Sequence, residues 1–103
     1  MVKRISLLRR LNGLSHEEFR THLLETHAKI AKRAANLRGY RVNLPRNPEA
    51  IGWDAVVETW FDAEETSVWE ESIGNELISD RNKFVGHAES FFVDEHTVIQ
   101  PRD

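Results

Sequence analysis

Between Trp53 and Phe61 the chain reads Trp-Asp-Ala-Val-Val-Glu-Thr-Trp-Phe, a stretch that is apolar on both sides once it is laid out as a strand. Trp53, Ala55, Val57 and Phe61 alternate with Asp54, Val56, Glu58 and Trp60, so both faces of the pleat carry large apolar groups. A strand of this kind needs cover on two sides. With 103 residues there is material for one domain and one core, residues 1–103 taken together, so a single layer of helices covers one face and something else must cover the other.

The rest of the chain supplies the partners of that strand. Val2–Leu11 is rich in branched aliphatics without a helical stripe and ends at Asn12-Gly13, which reads as a strand and a turn. Ser15 and Glu18 have capping-box spacing, and Leu14 is placed to staple onto Phe19, which starts a helix at about Ser15. Phe19, Leu23, Ile30, Ala31 and Ala34 share one stripe of that helix, which is expected to run to about Ala35, with Lys29, Lys32 and Arg33 at its carboxyl end. Leu37–Leu44 reads as a second strand, joined to Trp53–Phe61 through a tip broken by Pro45, Asn47-Pro48 and Gly52. Asp62 and Glu65 repeat the capping spacing ahead of a second stripe of Val68, Trp69, Ser72, Ile73 and Leu77. Gly74 is expected to split this helix, with a shorter piece over residues 80–86, and Phe91–Ile99 is expected to form the last strand.

The resulting order is βαββαβ, the ferredoxin-like arrangement of an α+β domain: a four-stranded antiparallel sheet with both helices on one face. Its bare face predicts a homodimer in which two sheets pack against each other.

Composition narrows the function. The 40% hydrophobic content, 30% charged residues and mean hydropathy of -0.53 describe a packed interior with a solvated exterior. No stretch is long and apolar enough to span a bilayer, and the opening Met-Val-Lys-Arg-Ile-Ser lacks the apolar core of a secretory signal, so no membrane association and a cytoplasmic location are expected. The absence of cysteine removes disulfides, thiolate nucleophiles and Cys-ligated metals. A net charge of -3 disfavours nucleic acid as a partner.

His27 is the candidate for chemistry. It lies within the apolar stripe of the first helix, where an imidazole is either a hydrogen-bonded core residue or a general acid or base held neutral by its surroundings. Metal binding is disfavoured, because His16, His22 and His27 are six and five residues apart, whereas an α-helix aligns ligands three or four apart. His22 is expected at the solvent edge. Glycine-rich nucleotide loops and nucleophile elbows are missing, and the pairs Glu17-Glu18, Glu64-Glu65 and Glu70-Glu71 read as caps or solvated faces. Arg9-Arg10 reads as a salt-bridged surface. Tyr40, Trp60, Trp69, Phe84 and Phe91 are candidates to line a cavity between helices and sheet.

Three motifs then fall in register. Ser15-His16-Glu17-Glu18-Phe19 with Thr26-His27-Ala28 lies ahead of Tyr40; Asp54-Ala55-Val56-Val57-Glu58-Thr59-Trp60-Phe61-Asp62 follows; Asp80-Arg81-Asn82-Lys83-Phe84 closes the set. Together they resemble the EthD-like members of the dimeric α/β barrel superfamily, which includes methylmuconolactone methylisomerases. The resemblance implies a dimeric ferredoxin-like barrel with one pocket per subunit, no cofactor and no metal. It also implies a lyase or isomerase acting on a small oxygenated cyclic compound, a lactone or a polyketide-type aromatic. The family's pocket histidine corresponds to His27, which would move a proton beside a carbonyl; Thr59 would hydrogen-bond the substrate, and Tyr40, Trp60 and Phe84 would shape the cavity. The methylisomerases carry a cysteine where this chain has Thr59, which sets it apart from their reaction. Two other readings are a non-catalytic small-molecule-binding or stress-related protein and a cofactor-free monooxygenase of the same superfamily. Asp54 and Glu58 are placed on the face opposite Thr59, and no partner is assigned to His27.

Overall fold

The computed structural model describes residues 1–102. Four strands, β1 (Val2–Arg10), β2 (Gly39–Asn43), β3 (Ala55–Phe61) and β4 (Val85–Val93), form one sheet in the order β2-β3-β1-β4. Every neighbouring pair is antiparallel. The ferredoxin-like topology expected from the sequence is therefore the one adopted, with one addition: the tip between β2 and β3 holds a short helix.

The first helical segment begins where the capping signal places it. Ser15 Oγ accepts from the Glu18 backbone N–H at 3.0 Å, and Glu18 Oε1 accepts from the Ser15 N–H at 3.0 Å. From there α1 (His16–Thr21) passes through a π-helical stretch (His22–His27) into α2 (Ala28–Ala31). The wider turn is visible in the Ala28 N–H, which donates to the Leu23 carbonyl five residues back. The short helix α3 (Pro48–Ile51) has proline in its first turn and ends at Gly52, whose φ of 77° is left-handed.

The second long helix, α4 (Glu71–Arg81), corrects two expectations. Gly74 does not divide it: the Trp69 Cβ would lie 3.1 Å from a Cβ at position 74, so glycine there admits the close approach of Trp69 without interrupting the hydrogen bonds. The Asp62–Glu65 spacing is not a helix cap either. Asp62 pairs with Arg38, and a short 3₁₀ turn (Glu64–Thr66) intervenes before α4. The last strand is also displaced. It starts at Val85 and ends at Val93, so the span read as a second helical piece contributes the first residues of β4, and residues 94–99 lie beyond the sheet.

Inward-facing residues line up in rows across the sheet. Tyr40, Thr59, Arg4 and Phe92 form one row; Val42, Val57, Ser6 and Ser90 form the next; Ala55, Leu8 and Ala88 form a third. Two buried clusters sit above them. Leu8, Phe19, Leu23, Ala55, Val57, Phe84 and Val85 make one, and Ala31, Ala34, Ile73 and Leu77 make the other. Tyr40 packs against both. The outer face carries Ile5, Leu7, Val56, Trp60 and Phe91 among Lys3, Arg41, Glu58 and Glu89, and no element of the described chain covers it. Among the described residues no helix is long and apolar enough to cross a membrane.

Candidate functional site

At the junction of the two clusters, between helices and sheet, lies a cavity of about 250 Å³. His27 reaches it from the π-helical stretch, Tyr40 from β2, Thr59 from β3, Arg4 from β1 and Phe84 from the turn ahead of β4.

The His27 imidazole is fixed by Asp80 of α4. Nδ1 stands 2.9 Å from Asp80 Oδ2, and the other carboxylate oxygen, Oδ1, is 2.9 Å from His22 Nε2. Burial disfavours ionisation of Asp80, but hydrogen bonds from His22 and His27 outweigh it and hold its pKa below the usual aspartate value. A carboxylate only accepts, so both nitrogens that face it carry protons. His27 is thereby held as the Nδ1–H tautomer, and its Nε2, on the far side of the ring, makes no hydrogen bond among the described residues. Desolvation pushes the His27 pKa below 6.5 despite the opposing pull of Asp80, so the ring is neutral at pH 7 and Nε2 is a free base.

The π turn explains why two histidines five apart share one carboxylate. On a regular α-helix, residues five apart diverge by about 140° around the axis. With i to i+5 hydrogen bonds the two come onto one side, and His22 lies against Asp80, half-buried, instead of at the solvent edge. Phe84 supports both rings. It stacks on His22 at 4.4 Å and meets His27 at 5.2 Å and a tilt of 58°. Among the described residues no group of three or more His, Asp or Glu side chains is arranged to hold a metal ion.

The other candidates separate by strand face. Tyr40, Thr59 and Phe84 line the cavity. Thr59 is 5% exposed, and its hydroxyl donates to the Arg4 carbonyl at a long 3.4 Å. Burial pushes the Tyr40 phenol up to about 12, which keeps it a proton donor. Trp69 lines the cavity as well, whereas Phe91 lies on the outer face. Trp60 does not reach the cavity. It is adjacent to Thr59 in a strand, so its side chain points to the outer face, where it stacks beside Gly39 and lies under Lys3 Nζ (4.9 Å) and Arg41 Cζ (5.3 Å). Asp54 also departs from expectation. It precedes β3 and turns back to accept from the Arg10 N–H at 2.8 Å and to meet His16 Nδ1 at 3.0 Å, while Glu58 does lie on the outer face. Arg9 and Arg10 donate to the backbone carbonyls of Gly52 and Leu14, and among the described residues neither forms a salt bridge.

Two cavity-related residues escape the sequence reading. Asp80 continues the Ile73 and Leu77 stripe of α4 at helical spacing, so an acid on an apolar stripe was its available signal. Arg4 stands between Val2 and Ser6 on the inward side of β1, an arginine where an aliphatic would pack.

Comparisons with known proteins agree with this architecture. No curated protein matches the sequence. Among solved structures, an ethyl tert-butyl ether d (EthD) family protein from Bacillus halodurans superposes with a TM-score of 0.73 at 21% identity, covering 93% of this chain and 99% of that one. A dimeric ferredoxin-like protein of unknown function from Thermobifida fusca matches with a TM-score of 0.68 at 11% identity, over 89% and 88% of the two chains. SnoaB, a cofactor-independent oxygenase from Streptomyces nogalater, matches at 0.64 and 10% identity, over 96% and 97%. These likenesses establish the ferredoxin-like fold, and the sequence profile of the EthD domain matches residues 11–88; the chain belongs to the EthD domain family.

Proposed function

We propose that the chain, acting as one EthD-like domain in the cytoplasm, is a cofactor-independent lyase or isomerase for a small oxygenated cyclic compound, working by proton transfer through His27. The observation that carries this reading is the pairing of an unbonded, neutral His27 Nε2 at a cavity with an Nδ1–H held by Asp80. Such a nitrogen takes a proton from a carbon beside a carbonyl and returns it elsewhere on the substrate. The negative charge that moves onto the carbonyl oxygen is met by the Tyr40 hydroxyl, and by that of Thr59 once it turns from its long contact with the Arg4 carbonyl. Phe84 excludes water from one side of the pair.

The direct test follows solvent deuterium into cyclic lactones and ketones by NMR, with wild type and His27→Ala. Incorporation by wild type, and a loss of about a hundredfold or more in the variant with its fold intact, is the expected result. Undiminished exchange in folded His27→Ala removes the role. A ligand returned unlabelled and unchanged by wild type favours the binding-protein reading.

The likeness to SnoaB favours a second reading, in which the same base generates a phenolate that reacts with oxygen. Oxygen uptake with an activated phenol distinguishes it. The uncovered outer sheet face, together with a dimeric relative of the same fold, supports a homodimer paired through that face.

A further inference from the structure

The electrostatics of the cavity narrow the substrate class. Among the described residues its lining contains two arginines, Arg4 and Arg81, beside the neutral His27, and no aspartate or glutamate, in a protein whose net charge is -3. Asp80, the acid closest to the site in function, already accepts from two histidines. Arg4 is the sharper case. Its Nε is buried with no hydrogen-bond partner, and among the described residues no carboxylate pairs with its guanidinium. What surrounds it is aromatic: Cζ lies 5.0 Å from the Phe61 ring centre and 5.7 Å from that of Trp69. A partly desolvated cation that no carboxylate neutralises is costly unless something completes it, and the two terminal nitrogens of its guanidinium, which unlike Nε are not walled off, match a carboxylate in two-point geometry.

The geometry points to a small cyclic monocarboxylate as the ligand of this cavity, with its carboxylate held by Arg4. The inference rests on the cavity being the substrate site, and it adds the charge of the substrate and the residue that recognises it. A volume of about 250 Å³ suits a single ring, since pockets for larger drug-sized ligands begin at about 300 Å³. Arg4 forms one inward row with Thr59 and Tyr40, so a carboxylate anchored there leaves the ring spanning the space toward His27. Arg81, at the end of α4 and also lining the cavity, adds positive potential and is one of the charges that lower the His27 pKa.

Calorimetric titration with benzoate and with its neutral isostere benzamide tests this, using the full chain, Arg4→Met, Arg4→Lys and His27→Ala. Wild type is expected to bind benzoate about ten- to a hundredfold more tightly than benzamide. Arg4→Met, which keeps an apolar stem of similar length, should lose that preference, and Arg4→Lys should retain part of it. In His27→Ala the preference for benzoate over benzamide should persist whatever happens to the absolute affinity, because Arg4 is unchanged, so a failure of proton transfer and a failure of anion recognition are read separately. Benzamide binding as tightly as benzoate, no benzoate binding by folded wild type at millimolar concentration, or an unchanged preference in Arg4→Met overturns the inference. Should Arg4→Met not fold, the wild-type preference and the Arg4→Lys titration decide it.

Discussion

His27 and Asp80 meet across 53 residues of chain, Nδ1 to Oδ2 at 2.9 Å, and the same carboxylate holds His22 through its second oxygen. One acid thus orients two imidazoles that approach from a single π turn. The arrangement ties the protonation pattern of His27 to a residue on the opposite helix.

Asp80→Asn should break that tie without opening a hole. An amide presents one acceptor and one donor where the carboxylate presented two acceptors, so one imidazole must change tautomer to avoid a clash of hydrogens. If His27 changes, Nε2 gains the proton and stops being a base. A fall in kcat/KM of about ten- to a hundredfold is expected, smaller than that of His27→Ala. Asp80→Ala, which leaves both N–H groups unpaired, should in addition lose about 1–3 kcal/mol of stability by chemical denaturation. Wild-type kinetics in Asp80→Asn would remove the orienting role.

The pH dependence has a definite sign. Desolvation sets the folded His27 pKa below 6.5, and His27 acts as a base, so kcat/KM should hold on the acid side of 6.5 and fall only at lower pH. In Asp80→Asn, where His27 keeps its tautomer, the acid limb should move further down, because the Asp80 charge that raises the His27 pKa is gone. Stability follows the same direction. Below about 6.5 the unfolded imidazole binds a proton that the folded one still refuses, so stability decreases as pH falls through that window. Asp80, depressed below 3.8, adds a contribution that is present above that value and lost as pH falls through its folded pKa. An acid limb above 6.5 would contradict the assignment.

Phe91→Glu tests pairing through the sheet. Phe91 stands beside Ile5 on the outer face and is 47% exposed in the single chain, so the substitution should leave the fold intact by circular dichroism. Buried between two sheets, the new charge would be unpaired and costly. Light scattering should therefore show the mass falling from twice 12.0 kDa to 12.0 kDa. A dimer that survives the substitution places the interface elsewhere.

Gly39→Ala probes the position of Trp60. A Cβ at residue 39 would stand 2.8 Å from Trp60 Cε3, closer than van der Waals contact allows, and the ring is flanked by Lys3 and Arg41. A loss of about 1–3 kcal/mol is expected from thermal unfolding. An unchanged melting temperature would show that the indole moves aside freely.

Local patterning was sufficient for the element order and for the start of the first helix. Alternation along β3, the Ser15–Glu18 box and the stripe through Phe19 and Leu23 are short-range signals whose physics acts within a few residues, and the structure contains each of them. The same signals failed where a neighbour in space decided the outcome. Gly74 sits inside a continuous helix with Trp69 packed close against it, whereas the outward turn of Trp60 was already contained in the alternation of β3, which opposes it to Thr59. Only the tertiary structure could bring His22 and His27 onto Asp80 and leave Arg4 without an acid among the described residues, since those relationships join β1, the π turn and α4. They depend on which buried groups find partners after the layers close, and that balance between desolvation and pairing has no counterpart in sequence periodicity.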